Sequence, residues 1–261
     1  MDNRRKNKKK NRVEIFRGTK DGKLRLQVYL SRSGLASRRK CEEYIRKGLI
    51  RVNGQVIREM GVKVGPEDIV QYRNRRIYPV KRFLYIALHK PPKYLSTTYD
   101  PDSRPIALNL ITPFLKNRLY PVGRLDYLSS GLLFFTNDGE FARLVSHPSS
   151  GIEKEYVVET KKDIPLEFLE EYKKGIYVEG EIYKLHSYEV KGPRMVHIIL
   201  IEGKNREIRK VFGSRGLYPK RVHRIRIGSV LLKGLEAGKF RFLTEREVAS
   251  FKRQHSGVSS W

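Results

Sequence analysis

The stretch that most constrains this chain runs Gly123-Arg124-Leu125-Asp126-Tyr127-Leu128-Ser129-Ser130-Gly131, then Leu132-Leu133-Phe134-Phe135, then Thr136-Asn137-Asp138-Gly139. The uninterrupted apolar run from Leu132 to Phe135, closed by the Asn137-Asp138-Gly139 turn signal, reads as a strand buried on both faces. Asp126 therefore lies in a loop that leads into the core. A carboxylate there is costly to desolvate unless it is paired or opens onto a cleft. Two uses fit it: capping a turn or pairing with Arg124, or chemistry in a cleft.

The chain before this stretch divides by pattern. Residues 1–23 are rich in Lys, Arg and Asn, with no period that could bury a face, and are expected to form a disordered basic arm. From 24 to 72 a compact unit is expected. Leu26, Tyr29 and Leu30 make one apolar helix face that ends at Gly34. Ser37 caps a second helix carrying Cys41, Tyr44 and Ile45, stopped by Gly48. Leu49 to Ile57 reads as a hairpin about Asn53-Gly54, and a further strand covers Asp68 to Tyr72. Arg38, Arg39 and Lys40 crowd the first turn of the second helix, where the macrodipole already disfavours cations. Exposed amides with three cations suit a phosphate seat, with Arg51 on the same basic surface; the alternative is a solvated charged face. Residues 73–82 are basic, contain Pro79 and lack a period, so they read as a linker.

The larger unit, residues 83–251, opens with the buried-strand pattern Phe83 to Leu88, ended by His89-Lys90-Pro91-Pro92. Asp138 caps a short helix through Phe141, Leu144 and Val145. Glu155 to Glu159, carrying Tyr156, is a strand, followed by a helix over Leu166 to Tyr172. Strands at Ile176 to Val178, Ile182 to Val190 and Val196 to Ile201 come next. Ile208, Val211 and Phe212 share a helix face beside Arg206 and Arg209. Arg221 to Ile227 is a strand. Thr244-Glu245-Arg246-Glu247 is a capping box that starts a last helix, and residues 252–261 are expected to be a loose tail. His147 has no second ligand at metal spacing and reads as structural.

Composition narrows the partner. With 55 Lys and Arg against 28 Asp and Glu, the formal charge is +27, which calls for a polyanion, by default nucleic acid. No apolar run reaches the ~18 residues of a membrane span, and no signal peptide is visible. The single cysteine, Cys41, excludes an internal disulfide and a multi-cysteine zinc site. A cytoplasmic location is expected. No dinucleotide fingerprint or Walker-type loop is present, so neither a nucleotide cofactor nor a metal is expected. No long apolar stripe argues for a dimer, so a monomer is expected.

Two resemblances sharpen this reading. Gly123-Arg124-Leu125-Asp126, Ser129, Gly131-Leu132-Leu133, Thr136 to Gly139, His147-Pro148 and Lys154-Glu155-Tyr156 together resemble the central motif of pseudouridine synthases, closest to those acting on single uridines of ribosomal RNA. Ser129 stands where threonine is more usual. His89-Lys90-Pro91 resembles the family's first motif, with Lys93 in place of its usual glycine. Gly203-Lys204-Asn205 running into Arg209 resembles the third, and the strand with Val222 the closing one. Leu26 to Leu30, Gly34 to Arg39 and Ile50 to Gly54 resemble the small RNA-binding domain of ribosomal small-subunit protein four.

These resemblances imply an α+β protein: a small RNA-binding α/β-type unit, then a catalytic domain with a mixed, largely antiparallel sheet and flanking helices. They imply that Asp126 is catalytic, that Arg209 pairs with it, and that Tyr156 stacks on the uracil. Arg38, Arg39, Lys40, Arg51, Lys90, Arg124, Lys204 and Arg206 would contact RNA, Arg124 as a wedge in the vacated base position. Asp126 would act as a nucleophile on carbon or as a base on a sugar proton; both roles demand an ionised carboxylate. The reaction implied is isomerisation of uridine to pseudouridine without a cofactor. The alternative is a ribosome-assembly factor that binds RNA with a retired site. A metal-dependent phosphohydrolase built on Asp126 and Asp138 lacks acidic partners.

Overall fold

The computed structural model describes residues 21–257 apart from Pro79, Lys81 and Lys116. Most of the basic arm and the last four residues of the expected tail lie outside the described residues. The chain divides into two compact units between Phe83 and Leu84. No helix among the described residues is long and apolar enough to cross a membrane.

In the smaller unit, α1 (Leu26–Arg32) buries Leu26, Tyr29 and Leu30, and α2 (Arg38–Arg46) buries Cys41 and Ile45. The Ser37 hydroxyl caps α2 by accepting from the Lys40 amide at 3.2 Å. Strands β1 (Ile50–Val52) and β2 (Gln55–Ile57) form a hairpin in which Asn53 and Gly54 both take positive φ, 50° and 86°. Strand β3 (Val70–Tyr72) pairs with β1, and β4 (Arg75–Arg76) pairs with β3. The expected linker thus begins one hairpin late. Arg73 and Asn74 both take positive φ, a turn that this dipeptide does not advertise as Asn-Gly does. A further two-residue pairing, Leu24–Arg25 with Lys63–Val64, closes the unit.

The larger unit is built on a nine-stranded sheet. Its elements in order are β5 (Tyr85–Lys90), β6 (Tyr120–Val122), β7 (Ser130–Thr136), α3 (Gly139–Ser146), β8 (Lys154–Thr160) and α4 (Leu166–Lys174). A separate hairpin, β9 (Ile176–Val178) and β10 (Glu181–Tyr183), follows; then come β11 (Ser187–Gly192), β12 (Met195–Leu200), α5 (Glu207–Gly213), β13 (Pro219–Ile227), β14 (Val230–Leu231), β15 (Phe240–Phe242) and α6 (Glu245–Gly257). The long strand expected over Ile182 to Val190 is therefore two strands in different sheets. The main sheet runs β11-β12-β8-β13-β7-β5-β15, with β14 beside β13 and β6 beside β7. Every pairing is antiparallel except β7 with β13.

Both faces of β7 are covered, which is why its sequence is apolar without alternation. Leu133 and Phe135 join the core with Tyr156, Val158, Val211 and Phe212, whereas Leu132 and Phe134 pack with Phe141, Val145 and Phe251. Phe141 and Phe251 meet edge to face at 5.6 Å, so α6 is anchored at its middle and runs on to Gly257, past the expected start of the tail. Its capping box is complete: the Thr244 amide donates to Glu247 Oε2 and the Glu247 amide to Thr244 Oγ1.

Candidate active site

The loop between β6 and β7 carries Asp126, and each carbonyl from Leu125 to Ser129 is held. Ser96 Oγ donates to Leu125 O at 2.9 Å, the Ser129 amide to Asp126 O, and the Lys93 amide to Tyr127 O at 2.6 Å. Arg209 Nη2 reaches Leu128 O at 3.3 Å and Lys90 Nζ reaches Ser129 O at 2.7 Å. Leu125 is buried, and Ser96 Oγ also accepts from its amide at 3.1 Å. The result is a rigid loop with Asp126 half-buried between exposed Arg124 and exposed Tyr127 and Leu128.

Asp126 opens onto a solvent-accessible cleft. Its wall comprises Asp126, Tyr156, Arg209, Arg124, Lys204 and Arg206, together with Glu207, Ser129 and the apolar Leu125, Leu200, Ile208 and Val222. Four cations against two carboxylates make it an anion-attracting cleft. Tyr156 comes from β8, where a bulge between Glu155 and Tyr156 re-aims the strand. Arg209 comes from α5, whose short apolar face, Ile208, Val211 and Phe212, is buried in the core.

The family model for RNA pseudouridylate synthase matches residues 84–214, and the S4 domain model matches residues 24–70. A relative in Borreliella burgdorferi, an uncharacterized RNA pseudouridine synthase, is 45% identical over 87% of this chain and 93% of its own. The ribosomal large subunit pseudouridine synthase B of Bacillus subtilis is 36% identical over 86% and 93%. The chain belongs to the RNA pseudouridylate synthase family. Its reaction is the isomerisation of uridine to pseudouridine in RNA. The dual-specificity RNA pseudouridine synthase RluF of Escherichia coli is 34% identical over 87% of this chain and 78% of its own. A crystal structure of a pseudouridylate synthase shares the fold, with a TM-score of 0.64 at 24% identity over 87% of this chain and 99% of that one.

The structure departs from the expected contacts at some of these residues and places the others. Arg209 and Asp126 line one cleft but make no direct ion pair. The guanidinium is held instead by the carbonyls of Pro219 (3.2 Å) and Leu128, and its buried Nε has no partner among the described residues. The two groups are coupled through the field: burial lowers the Arg209 pKa, and the Asp126 carboxylate offsets only part of that fall. Lys90 cannot be a surface phosphate contact. It is fully buried, its ammonium spans Pro91 O and Ser129 O, and burial pushes its pKa down to about 8. Lys40 is tied to Glu43 at 2.7 Å, and Arg51 to Gly54 O in its own hairpin turn, whereas Arg38 and Arg39 are exposed. Lys204 leans over the Tyr183 ring at 5.4 Å with its ammonium on Ile182 O, and Arg206 enters α5 at φ 52°.

Lys93, in the place of the usual glycine, still takes the glycine-like φ of 65°. Exposed His147 shares a hydrogen bond through Nδ1 with the Ser149 hydroxyl and accepts from the Ser149 amide. Asp138 caps α3 and takes the Tyr85 hydroxyl at 2.8 Å, so it does not join Asp126 in a second acidic site.

Two residues of the site escaped the sequence reading. Glu207, buried at the start of α5, accepts from Tyr172 Oη at 3.1 Å and from the Lys204 amide at 2.8 Å, and burial raises its pKa. Arg224 is buried on β13 and donates to Tyr156 Oη. The available signal was alternation: Val222 and Arg224 share one face of their strand, so a core strand carries a charge at an inward position.

Proposed function

We propose that this enzyme converts one specific uridine of ribosomal RNA, in the large subunit, to pseudouridine, with Asp126 as the catalytic carboxylate. The observation that carries the reading is the meeting of Asp126 and Tyr156 in one open cleft with a cationic wall. In the reaction the N1–C1′ bond breaks, the uracil turns, a C5–C1′ bond forms, the C5 proton leaves and N1 gains one. No electrons are exchanged with a partner, so the chemistry rests on the chain's own groups.

The target base must leave its stack, which costs a few kcal/mol, roughly, and least in a loop. Arg124, exposed beside Asp126, is suited to fill the vacated place, and Tyr156 offers its ring to the extruded uracil. Arg209 contributes positive potential to the carboxylate across the cleft. Lys204 and Arg206 on the wall, with exposed Arg38 and Arg39 in the small unit, take backbone phosphates. The large-subunit assignment draws support from the name of the Bacillus subtilis relative. A monomer acting in the cytoplasm completes the reading.

The test is incubation of the full chain with unmodified ribosomal RNA fragments, mapping product by carbodiimide adduct and primer extension. Asp126→Asn is expected to abolish product while RNA affinity stays near wild type. A normal turnover by that variant would refute the assignment. Product confined to small-subunit RNA would overturn the choice of subunit alone.

A further inference from the structure

Arg224 is nearly fully buried, at 3% exposure, and among the described residues no carboxylate pairs with it. Its Nε donates to Leu132 O at 2.7 Å, its Nη1 to Tyr156 Oη at 3.3 Å, and its buried Nη2 has no partner among the described residues. The guanidinium carbon lies 5.8 Å from the centre of the Tyr156 ring. An unpaired buried cation is expensive, and an apolar side chain of similar volume would pack the same space at no electrostatic penalty. Two more buried cations stand nearby: Lys90 and Lys154 both have their pKa values pushed down to about 8, chiefly by burial and further by the Arg224 charge. Stability alone gives no reason for this arrangement.

The strand geometry brings Arg224 to Tyr156 specifically. Arg224 is the cross-strand partner of Tyr156, and the bulge between Glu155 and Tyr156 sets that register. On its other side Arg224 faces Gly131, whose lack of a side chain lets the two backbones approach. The Leu132 carbonyl, one residue beyond, then fixes the guanidinium from the strand that leaves the Asp126 loop. One rigid cation thus ties the strand behind Asp126 to the hydroxyl of the aromatic that faces it across the cleft.

The bond also has a direction. Arg224 occupies a lone pair of Tyr156 Oη, and among the described residues that hydroxyl has no acceptor for its own proton. The proton is left for an acceptor outside the protein.

The geometry points to Arg224 as a positioning residue for the isomerisation: it holds the Tyr156 ring in plane against the extruded uracil and turns the phenolic proton toward bound RNA. This inference rests on the reading of Tyr156 given above. Asp126→Asn decides that reading separately, so the test below bears on Arg224 alone.

The experiment compares Arg224→Gln, Arg224→Lys, Tyr156→Phe and the double variant Arg224→Gln/Tyr156→Phe in the full chain. Single-turnover pseudouridine formation is measured at saturating enzyme, and RNA Kd by filter binding. Arg224→Gln is expected to slow the single-turnover rate about 100-fold, the scale of a 1 Å misplacement. RNA Kd should stay within about twofold, since the loss falls on the reacting geometry and not on binding. Arg224→Lys should recover part of the rate, because an ammonium reaches one of the two acceptors. Tyr156→Phe keeps the ring and its packing but removes the hydroxyl, so it reads the same contact without the folding risk of a buried substitution. The double variant should be no slower than the slower single one. The inference fails if Arg224→Gln or Tyr156→Phe turns over at the wild-type rate, or if the two losses multiply.

Discussion

Replacing Gly131 by alanine should disrupt the joint on which the site is assembled. Gly131 lies on β7 where that strand makes its one parallel pairing, opposite Arg224 of β13, with Lys90 of β5 on its other side. An added Cβ would sit 2.2 Å from the Arg224 carbonyl oxygen and 2.6 Å from its nitrogen, both backbone atoms that no rotamer change can move. Relief requires the strands to part by about 1 Å, given the ~3.5 Å at which heavy atoms normally meet. Gly131 also has φ of 110°, outside the region alanine favours. Backbone strain of about 1–3 kcal/mol and overpacking of about 1–3 kcal/mol combine to roughly 2–6 kcal/mol. Since domains are stable by only about 5–15 kcal/mol, the larger unit would be severely weakened. Thermal unfolding followed by circular dichroism should show its transition lowered by about 4–24 °C at ~2–4 °C per kcal/mol. The single-turnover rate should fall with it, because Lys90 and Arg224 lose their register with the Asp126 loop. A Gly131→Ala protein within about 1 kcal/mol of wild type would refute this account of the parallel joint.

Three further outcomes are expected. Lys90 and Lys154 are buried with pKa values near 8, below the ordinary 10.5, so between those values the unfolded chain binds more protons. Stability should therefore rise from pH 8 to 10, and Lys90→Met should flatten the slope; a falling curve in that window contradicts their burial as cations. Lys93→Gly relieves a positive φ while loosening the unfolded chain, so urea denaturation should show a shift within about 1 kcal/mol and full activity; a large loss would mean the side chain itself is used. Ser96→Ala removes the buried hydroxyl that clamps both backbone groups of Leu125, at about 1–3 kcal/mol; denaturation and turnover should both fall, and an unaffected rate would show that the loop needs no clamp.

Helices and caps are legible in the sequence because they depend on neighbours within a turn. Ser37 and Asp138 cap, Thr244 and Glu247 close their box, and Asn53-Gly54 turns, all through bonds spanning three residues or fewer. The missed elements lack such signals. Arg73-Asn74 turns without a glycine, β6, β14 and β15 are two or three residues long, and the β7–β13 pairing joins residues about ninety positions apart.

Residue chemistry along the chain marked Asp126 as a carboxylate with few places to sit ahead of a doubly buried strand, but left a turn cap or an Arg124 pair beside chemistry in a cleft; only the motif resemblance favoured the last. The same chemistry could not say where Lys90 or Arg209 would point. Each is a cation next to a motif, and only the folded sheet turns one ammonium into the core and clamps the guanidinium between two carbonyls. Which charges face the cleft and which are spent on backbone oxygens is set by strand register, and register is a long-range property that no local pattern encodes.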